Sequence, residues 1–338
     1  MQLWRLVNGA FRDAVQLQSF APQGGLAWRQ IAQDGVQFAY ANYSTLGAVN
    51  RMINLAPANR VDLLVKAPVQ PGRYTLTAQP NEGLQLDSAA GFTPDAPITL
   101  LTVSVEGPAV SPAQDFIQNE GDFPTFPKYL ADIPMKDISF RREVTFGAGH
   151  NLIDGKPFNQ TDYSQTMQLN SAEEWKILNQ ANDKSHPFHI HVNPFQITEV
   201  FQPNAENTTD PNQPCYVDPL NPQTWKPCTP LQAPYVWWDT FAIPTSKQVD
   251  VTTQCNHNKC PAAIQPYVQC TTKDGTTACI ETIPGYFKMR SRFVDFTGTY
   301  VLHCHILIHE DRGMMQLVEV VRSKPSVPVA PKSPYVHH

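Results

Sequence analysis

The chain has 338 residues, including 31 Pro and 17 Gly, and only 16% are charged against a usual ~25%. This excludes a protein of long helices, while 41% hydrophobic residues supply enough material for packed cores and exclude wholesale disorder. The net charge of −5 comes with no basic block, so nucleic acid is not an expected partner, and no run of ~18 apolar residues could span a membrane.

The first ten residues, MQLWRLVNGA, contain no apolar leader. They open directly on an alternating strand pattern, with Leu3, Arg5 and Val7 on one face and Trp4 and Leu6 on the other. That opening leads us to expect further chain upstream. Residues 1–107 then read as short strands, at Val15–Leu17, Met52–Leu55, Val61–Val65, Arg73–Ala78 and Ile98–Val105. Turn signals at Pro22-Gln23-Gly24-Gly25, Asp34-Gly35 and Pro71-Gly72 separate them. This spacing predicts a β-sandwich or barrel. The unit holds no His or Cys and hence no obvious chemistry.

Residues 108–137 carry five prolines and read as a linker. Strand patterns resume at Ile138 and continue through Glu143–Phe146, Met167–Leu169, Trp175–Leu178 and Phe188–Val200. Residues 202–285 read as a Cys-rich insertion or elaborated loop. Strands return at Phe287–Phe293, Tyr300–Ile306 and Met315–Val321, before a Pro-rich tail from Ser323. The expected domains are therefore 1–107, a linker at 108–137, 138–322 including the insertion, and a tail at 323–338.

Six of the seven cysteines, Cys215, Cys228, Cys255, Cys260, Cys270 and Cys279, lie in the insertion. An even cluster in a polar, loop-rich segment reads as disulfides and an oxidising compartment, periplasmic or extracellular. Pairing neighbours closes the shortest loops: Cys215–Cys228, Cys255–Cys260 and Cys270–Cys279. The alternative is a zinc site beginning at Cys255-x4-Cys260.

Two segments concentrate the remaining chemistry. One is His186-Pro187-Phe188-His189-Ile190-His191; the other runs from His303-Cys304-His305 through His309-Glu310 to Met314-Met315. On a strand, residues i and i+2 share a face and i+1 points away. His303 and His305 should project together, as should His189 and His191, with Cys304 on the opposite side of its strand. One strand could then serve two metal sites. A blue-copper site takes two His, a Cys thiolate and a weak axial Met. Cys304, His309 and Met314 offer three of these, and His186 is the natural fourth. Zinc in a His/Cys site is the competing reading, against which the thioether argues.

The patterns H-P-x-H-x-H and H-C-H-x3-H-x4-M resemble the third-domain motifs of the multicopper oxidases, the family of laccases, bilirubin oxidases and cuprous oxidases. Met167–Asn179, Trp238-Asp239-Thr240 and Arg292–Tyr300 resemble segments flanking those motifs. Leu3–Asn8, Asp34-Gly35 and Arg60–Val65 resemble the family's middle domain. The resemblance implies an all-β chain of two cupredoxin-like Greek-key β-sandwiches, the first incomplete at its N-terminus. It implies type 1 copper at His186, Cys304, His309 and Met314, and trinuclear (type 2/type 3) ligands at His189, His191, His303 and His305. It further implies that a phenolic, amine or Cu(I) donor gives electrons at His309, that they pass through Cys304, and that dioxygen is reduced to water. Glu310 matches a position tied to proton delivery. The family's trinuclear cluster uses eight histidines, four of them from a first domain. No H-x-H precedes residue 189 here. We therefore expect the missing half to come from a first domain or a second chain. The rival expectation is a non-enzymatic type 1 electron carrier or copper-binding module.

Overall fold

The computed structural model describes residues 1–20, 25–47, 53–80, 98–147, 151–203, 229–256, 259–260 and 268–322, with backbone alone at 18–20, 79–80 and 229–230. Cys215, Cys228, His150 and His257 lie outside the described residues. No helix among the described residues is long and apolar enough to cross a membrane.

Two four-stranded sheets form the N-terminal unit. One has the order Gln2–Val7, Arg60–Lys66, Ala27–Gln33, Val36–Gln37; the other has Ile53–Leu55, Val15–Phe20, Gly72–Pro80, Ile98–Val105. The sequence RVDLLVK over Arg60–Lys66 shows why they face each other. Its alternation buries Val61, Leu63 and Val65 on one side. These pack with Leu17, Trp28, Leu55 and Leu76 into one core. The Asp34-Gly35 turn has φ of 47° and 83°, the left-handed pair that a tight two-residue hairpin needs.

A second sandwich follows residues 108–137, which cross by short 3-10 turns at Glu120–Asp122, Lys128–Leu130 and Met135–Asp137. Its five-stranded sheet has the order Gln165–Gln168, Met315–Val321, Gly298–Cys304, His186–Ile190, Thr240–Ile243. The facing sheet runs Thr229–Pro230, Phe195–Phe201, Gly285–Phe293, Ser171–Asn179, Ile138–Phe146, and Trp237–Trp238 also pairs with Phe195–Phe201. Trp175, Phe188, Phe287, Met289, Leu302 and Cys304 share the core between them.

Beyond shifts of a few residues at strand ends, three features differ from expectation. The run Phe188–Val200 is two strands, His186–Ile190 and Phe195–Phe201, broken where Val192 takes φ 67°. The strand expected to reach Ile306 ends at Cys304, because the chain turns into the helix Leu307–Asp311. Residues 202–285 also contain more regular structure than a loop reading allows. Thr240–Ile243 is the edge strand beside His186–Ile190, since its backbone can complete that sheet. Lys247–Asp250, Thr276–Ile283 and Val268–Lys273 form a small sheet of their own.

The two sandwiches are joined by polar contacts. Asn59 Nδ2 donates to the Thr240 carbonyl at 2.9 Å, and Arg60 forms two 2.7 Å bonds to the Asp239 carboxylate.

Candidate metal centre

The strands His186–Ile190 and Gly298–Cys304 are antiparallel neighbours, with Phe188 opposite Cys304 and His189 opposite His303. Side-chain alternation then sorts the ligating groups. His186 and Cys304 turn into the core, while His189 and His303 turn to the other face.

On the core side, His186 Nδ1 lies 3.5 Å and His309 Nδ1 3.6 Å from Cys304 Sγ. The two rings are 5.1 Å apart. His309 sits on the helix Leu307–Asp311, whose backbone returns through Met314 N–H to the His309 carbonyl at 2.9 Å. Gly313 makes that return possible. Its φ is +93°, and an added Cβ would lie 3.3 Å from the Phe158 backbone nitrogen. Cys304 N–H donates to the Met314 carbonyl at 3.1 Å, and Met314 is fully buried in the same core. Of the expected quartet, His186, Cys304 and His309 bring their ligating atoms together in one buried place, and Met314 lies in the same core.

Burial governs the charge of this group. It pushes the Cys304 thiol up to about 12 and His309 down to about 4, and it holds His186 well below the usual imidazole value. Two neutral imidazoles and a neutral thiol make an uncharged donor set. A bound metal would displace the thiol proton and supply the positive charge that stabilises the thiolate. The Nε2 atom of His186 is buried and makes no hydrogen bond, so Nδ1 is the nitrogen directed at the sulfur.

On the other face, donor atoms of His189, His191 and His303 lie within 4.8 Å of one another. His191 Nε2 is 3.3 Å from His303 Nε2. His305 joins through its ring, 5.3 Å from that of His303 and 5.5 Å from that of His189. Burial lowers His189 to about 4 and His303 to about 3, so both are neutral at physiological pH. The cluster borders a cleft of about 460 Å³ lined by Asp34, Val36, Asn193 and Asp239, and His191 is exposed there.

Polar neighbours orient these rings. His189 Nδ1 is 2.8 Å from the Asp239 carbonyl and 2.9 Å from Thr240 Oγ1, which leaves Nε2 to face the cluster. Thr240 Oγ1 donates to Asp239 Oδ1 at 3.0 Å. His303 Nδ1 lies 3.1 Å from both the Cys304 carbonyl and Glu310 Oε2. Asn193 Nδ2 donates to the Tyr300 hydroxyl at 2.7 Å beside the cleft. Sequence reasoning placed none of Thr240, Asp34 and Asn193 at this site. The resemblance around Trp238-Asp239-Thr240 was the available signal for the first, but Asp34 is 206 residues away and reaches Thr240 N–H only through the fold, at 3.4 Å.

A profile of the multicopper oxidases matches residues 133–261 and 266–324. The chain belongs to the multicopper oxidase family. It is 22% identical over 292 residues to a laccase of Bacillus stratosphericus, covering 81% of this chain and 44% of that protein. It is 24% identical over 297 residues to the Arabidopsis thaliana multicopper oxidase LPR1, covering 82% and 44%. Among solved structures, McoA multicopper oxidase from Aquifex aeolicus (2F4 variant) superposes with a TM-score of 0.60 at 16% identity, covering 94% of this chain and 55% of that one. A multicopper oxidase of Campylobacter jejuni described as a metallo-oxidase gives 0.56 at 17% identity, covering 94% and 52%. The fold is therefore all-β and cupredoxin-like, and copper is the metal the family implies. The chain spans less than half the length of these two curated relatives.

Proposed function

We propose that this chain supplies the type 1 copper site, and four histidines of the oxygen-reducing site, of a laccase-like multicopper oxidase. The observation that carries the reading is the convergence of His186 Nδ1 and His309 Nδ1 on Cys304 Sγ at 3.5 and 3.6 Å, with Met314 buried in the same core. This donor set fits copper: two imidazoles, a thiolate and a thioether. Bound there, copper would supply one-electron transfer from a donor and, at the second cluster, reduction of dioxygen to water.

The chain's own residues would do the rest. His309 lies on a helix whose Leu307 N–H donates to the Phe11 carbonyl at 3.1 Å. Phe11 and Leu307 are both exposed and offer an apolar approach for a phenol or aromatic amine; a metal-ion donor such as Cu(I) is the other class. Cys304 is bonded in sequence to His303 and His305, so a short covalent path joins the two faces of the strand. Glu310 Oε2 can hold a proton next to His303. Thr240 and the Asp239 carbonyl fix the His189 ring. The domain division at residues 107 and 138, and a periplasmic or secreted location, belong to this proposal. Four more histidines must come from a first domain or a second chain. A second reading, a type 1 electron carrier or copper-binding module without turnover, is favoured by the count of four histidines in the second cluster.

The test is copper loading of the purified chain. We expect one firmly bound copper with intense blue absorption. Cys304→Ser should lose the colour with an unchanged far-UV spectrum. A blue Cys304→Ser protein would refute the ligand assignment. Oxygen uptake with a phenolic donor, measured after a first domain is added, separates the oxidase from the carrier.

A further inference from the structure

The small sheet beside the second sandwich holds a cluster that copper chemistry does not use. Asn256 and Lys259 exchange two backbone hydrogen bonds of 3.0 Å, closing a tight loop that sets Cys255 beside Cys260. The hairpin of Val268–Lys273 and Thr276–Ile283 places Cys270 directly opposite Cys279. Its Asp274-Gly275 turn has φ of 52° and 76°. Each pair is joined as a disulfide. The two disulfides also touch each other. Cys260 Sγ is 3.8 Å from Cys270 Sγ, and all four sulfurs lie within 4.8 Å of one another.

That proximity is more than two independent staples require. Each bridge closes its own loop, and neither needs the other. A tetrahedral zinc–thiolate centre has Zn–S bonds of about 2.3 Å, which places its sulfurs about 3.8 Å apart. The gap between the disulfides already matches one edge of that tetrahedron. The Cys255-x4-Cys260 spacing is one that structural zinc sites use. Val249, Val251 and Val268 pack against the cluster and hold its floor, where Cys279 is buried. Cys255, Cys260 and Cys270 are partly exposed, which leaves an entry path.

We propose that Cys255, Cys260, Cys270 and Cys279 form a second, redox-gated metal site that binds one Zn²⁺ through four thiolates once its disulfides are reduced by a dithiol. Two dithiol molecules are each oxidised to a disulfide, both protein S–S bonds break, and four thiols form. Zn²⁺ then displaces four protons and forms four Zn–S bonds. The metal-bound and disulfide states exclude each other, because each sulfur makes one bond or the other. The site is independent of the copper reading.

The test uses the full chain carrying Cys304→Ser, so that the thiol of the copper cluster contributes no signal. The protein is reduced anaerobically with dithiothreitol, freed of it, and titrated with Co²⁺ and then Zn²⁺. We expect one Co²⁺ per chain beyond that taken by unreduced protein, with thiolate charge-transfer and strong visible bands that Zn²⁺ removes. Cys270→Ser/Cys279→Ser should abolish the bands. Cys255→Ser, in the outer loop, should weaken Zn²⁺ by at least about tenfold, since even losing an outer partner of a ligand has that effect. Reduced protein that gains no cobalt band, whether or not the hairpin stays folded, overturns the proposal. So do bands that persist in Cys270→Ser/Cys279→Ser.

Discussion

Arg60 and Asp239, 179 residues apart, form a bidentate pair with both N–O distances at 2.7 Å. Arg60 opens the strand Arg60–Lys66 of one sandwich and Asp239 precedes the edge strand of the other. Behind the pair, Asp239 offers its carbonyl to His189 Nδ1. The contact therefore fixes both the packing of two sandwiches and the background of a candidate ligand. Arg60→Ala should destabilise the chain by about 1.5–3 kcal/mol, the range for hydrogen bonds to a charged group. Arg60→Lys should recover little, because an ammonium cannot make the paired fork. Urea midpoints of the three proteins check this.

Asp34 lies in the same junction. It accepts hydrogen bonds from Arg60 N–H at 2.9 Å and from Asn59 Nδ2. Burial first, then the neighbouring Asp239, nonetheless raises it from 3.8 to about 6. The folded chain thus keeps a proton, between those values, that the unfolded chain has lost. Stability from this group is highest below pH 4, falls as pH rises towards 6, and then levels. The drop is on the order of 3 kcal/mol. Asp34→Asn should flatten that part of the metal-free stability curve. Subtracting the two urea-stability profiles from pH 4 to 7 tests it. A difference that does not change with pH would remove Asp34 from this role.

The candidate ligands were nameable from the sequence because most of them are local. His303, Cys304, His309 and Met314 span twelve residues, and the alternation rule sorts His303 from Cys304 without a structure. His186 followed from the chemistry of the donor set. What surrounds these ligands was not legible. Asp34, Asn59 and Arg60 act on Thr240 and Asp239 through a contact between sandwiches, and no periodicity encodes such a pairing. The edge strand Thr240–Ile243 was hidden for a related reason. It is short, and its strand character comes from the open edge of His186–Ile190 rather than from its own pattern. The helix that carries His309 has only five residues, too few to show a helical period.

Met314 is buried in the same core as Cys304, and its contribution would be a weak thioether donor. Met314→Leu keeps the apolar volume and removes the sulfur. The copper-loaded variant should remain blue, since the colour comes from the thiolate, and its potential should rise as a donor that favours the oxidised ion is lost. Redox titration followed by visible absorption reads both. An unchanged potential would place Met314 outside the ligand set.

Of the cysteines described, Cys304 alone is free; Cys255–Cys260 and Cys270–Cys279 are bonded. The expected pair Cys215–Cys228 lies outside the described residues. Unfolded, unreduced protein should therefore react with one equivalent of a thiol reagent, at Cys304. Mass mapping identifies the labelled peptide. Three or more labelled thiols would contradict the disulfide framework.

Oxygen chemistry provides the last prediction. Four-electron reduction of dioxygen requires several metals held together with open positions. His189, His191, His303 and His305 offer four nitrogens, and His191 is exposed at the cleft. Four imidazoles leave most coordination positions to solvent, and among the described residues no further histidine joins them from the open side. The monomer should thus hold one firm copper at Cys304 and weak, partial copper at these histidines. Its oxygen uptake with a phenol should fall far below that of a complete family member. Adding a first domain with two H-x-H pairs should raise copper content and oxygen uptake together. The measurement joins copper stoichiometry, oxygen consumption and mass in solution on one sample. A verified monomer that binds four coppers and turns over rapidly would show that four histidines suffice.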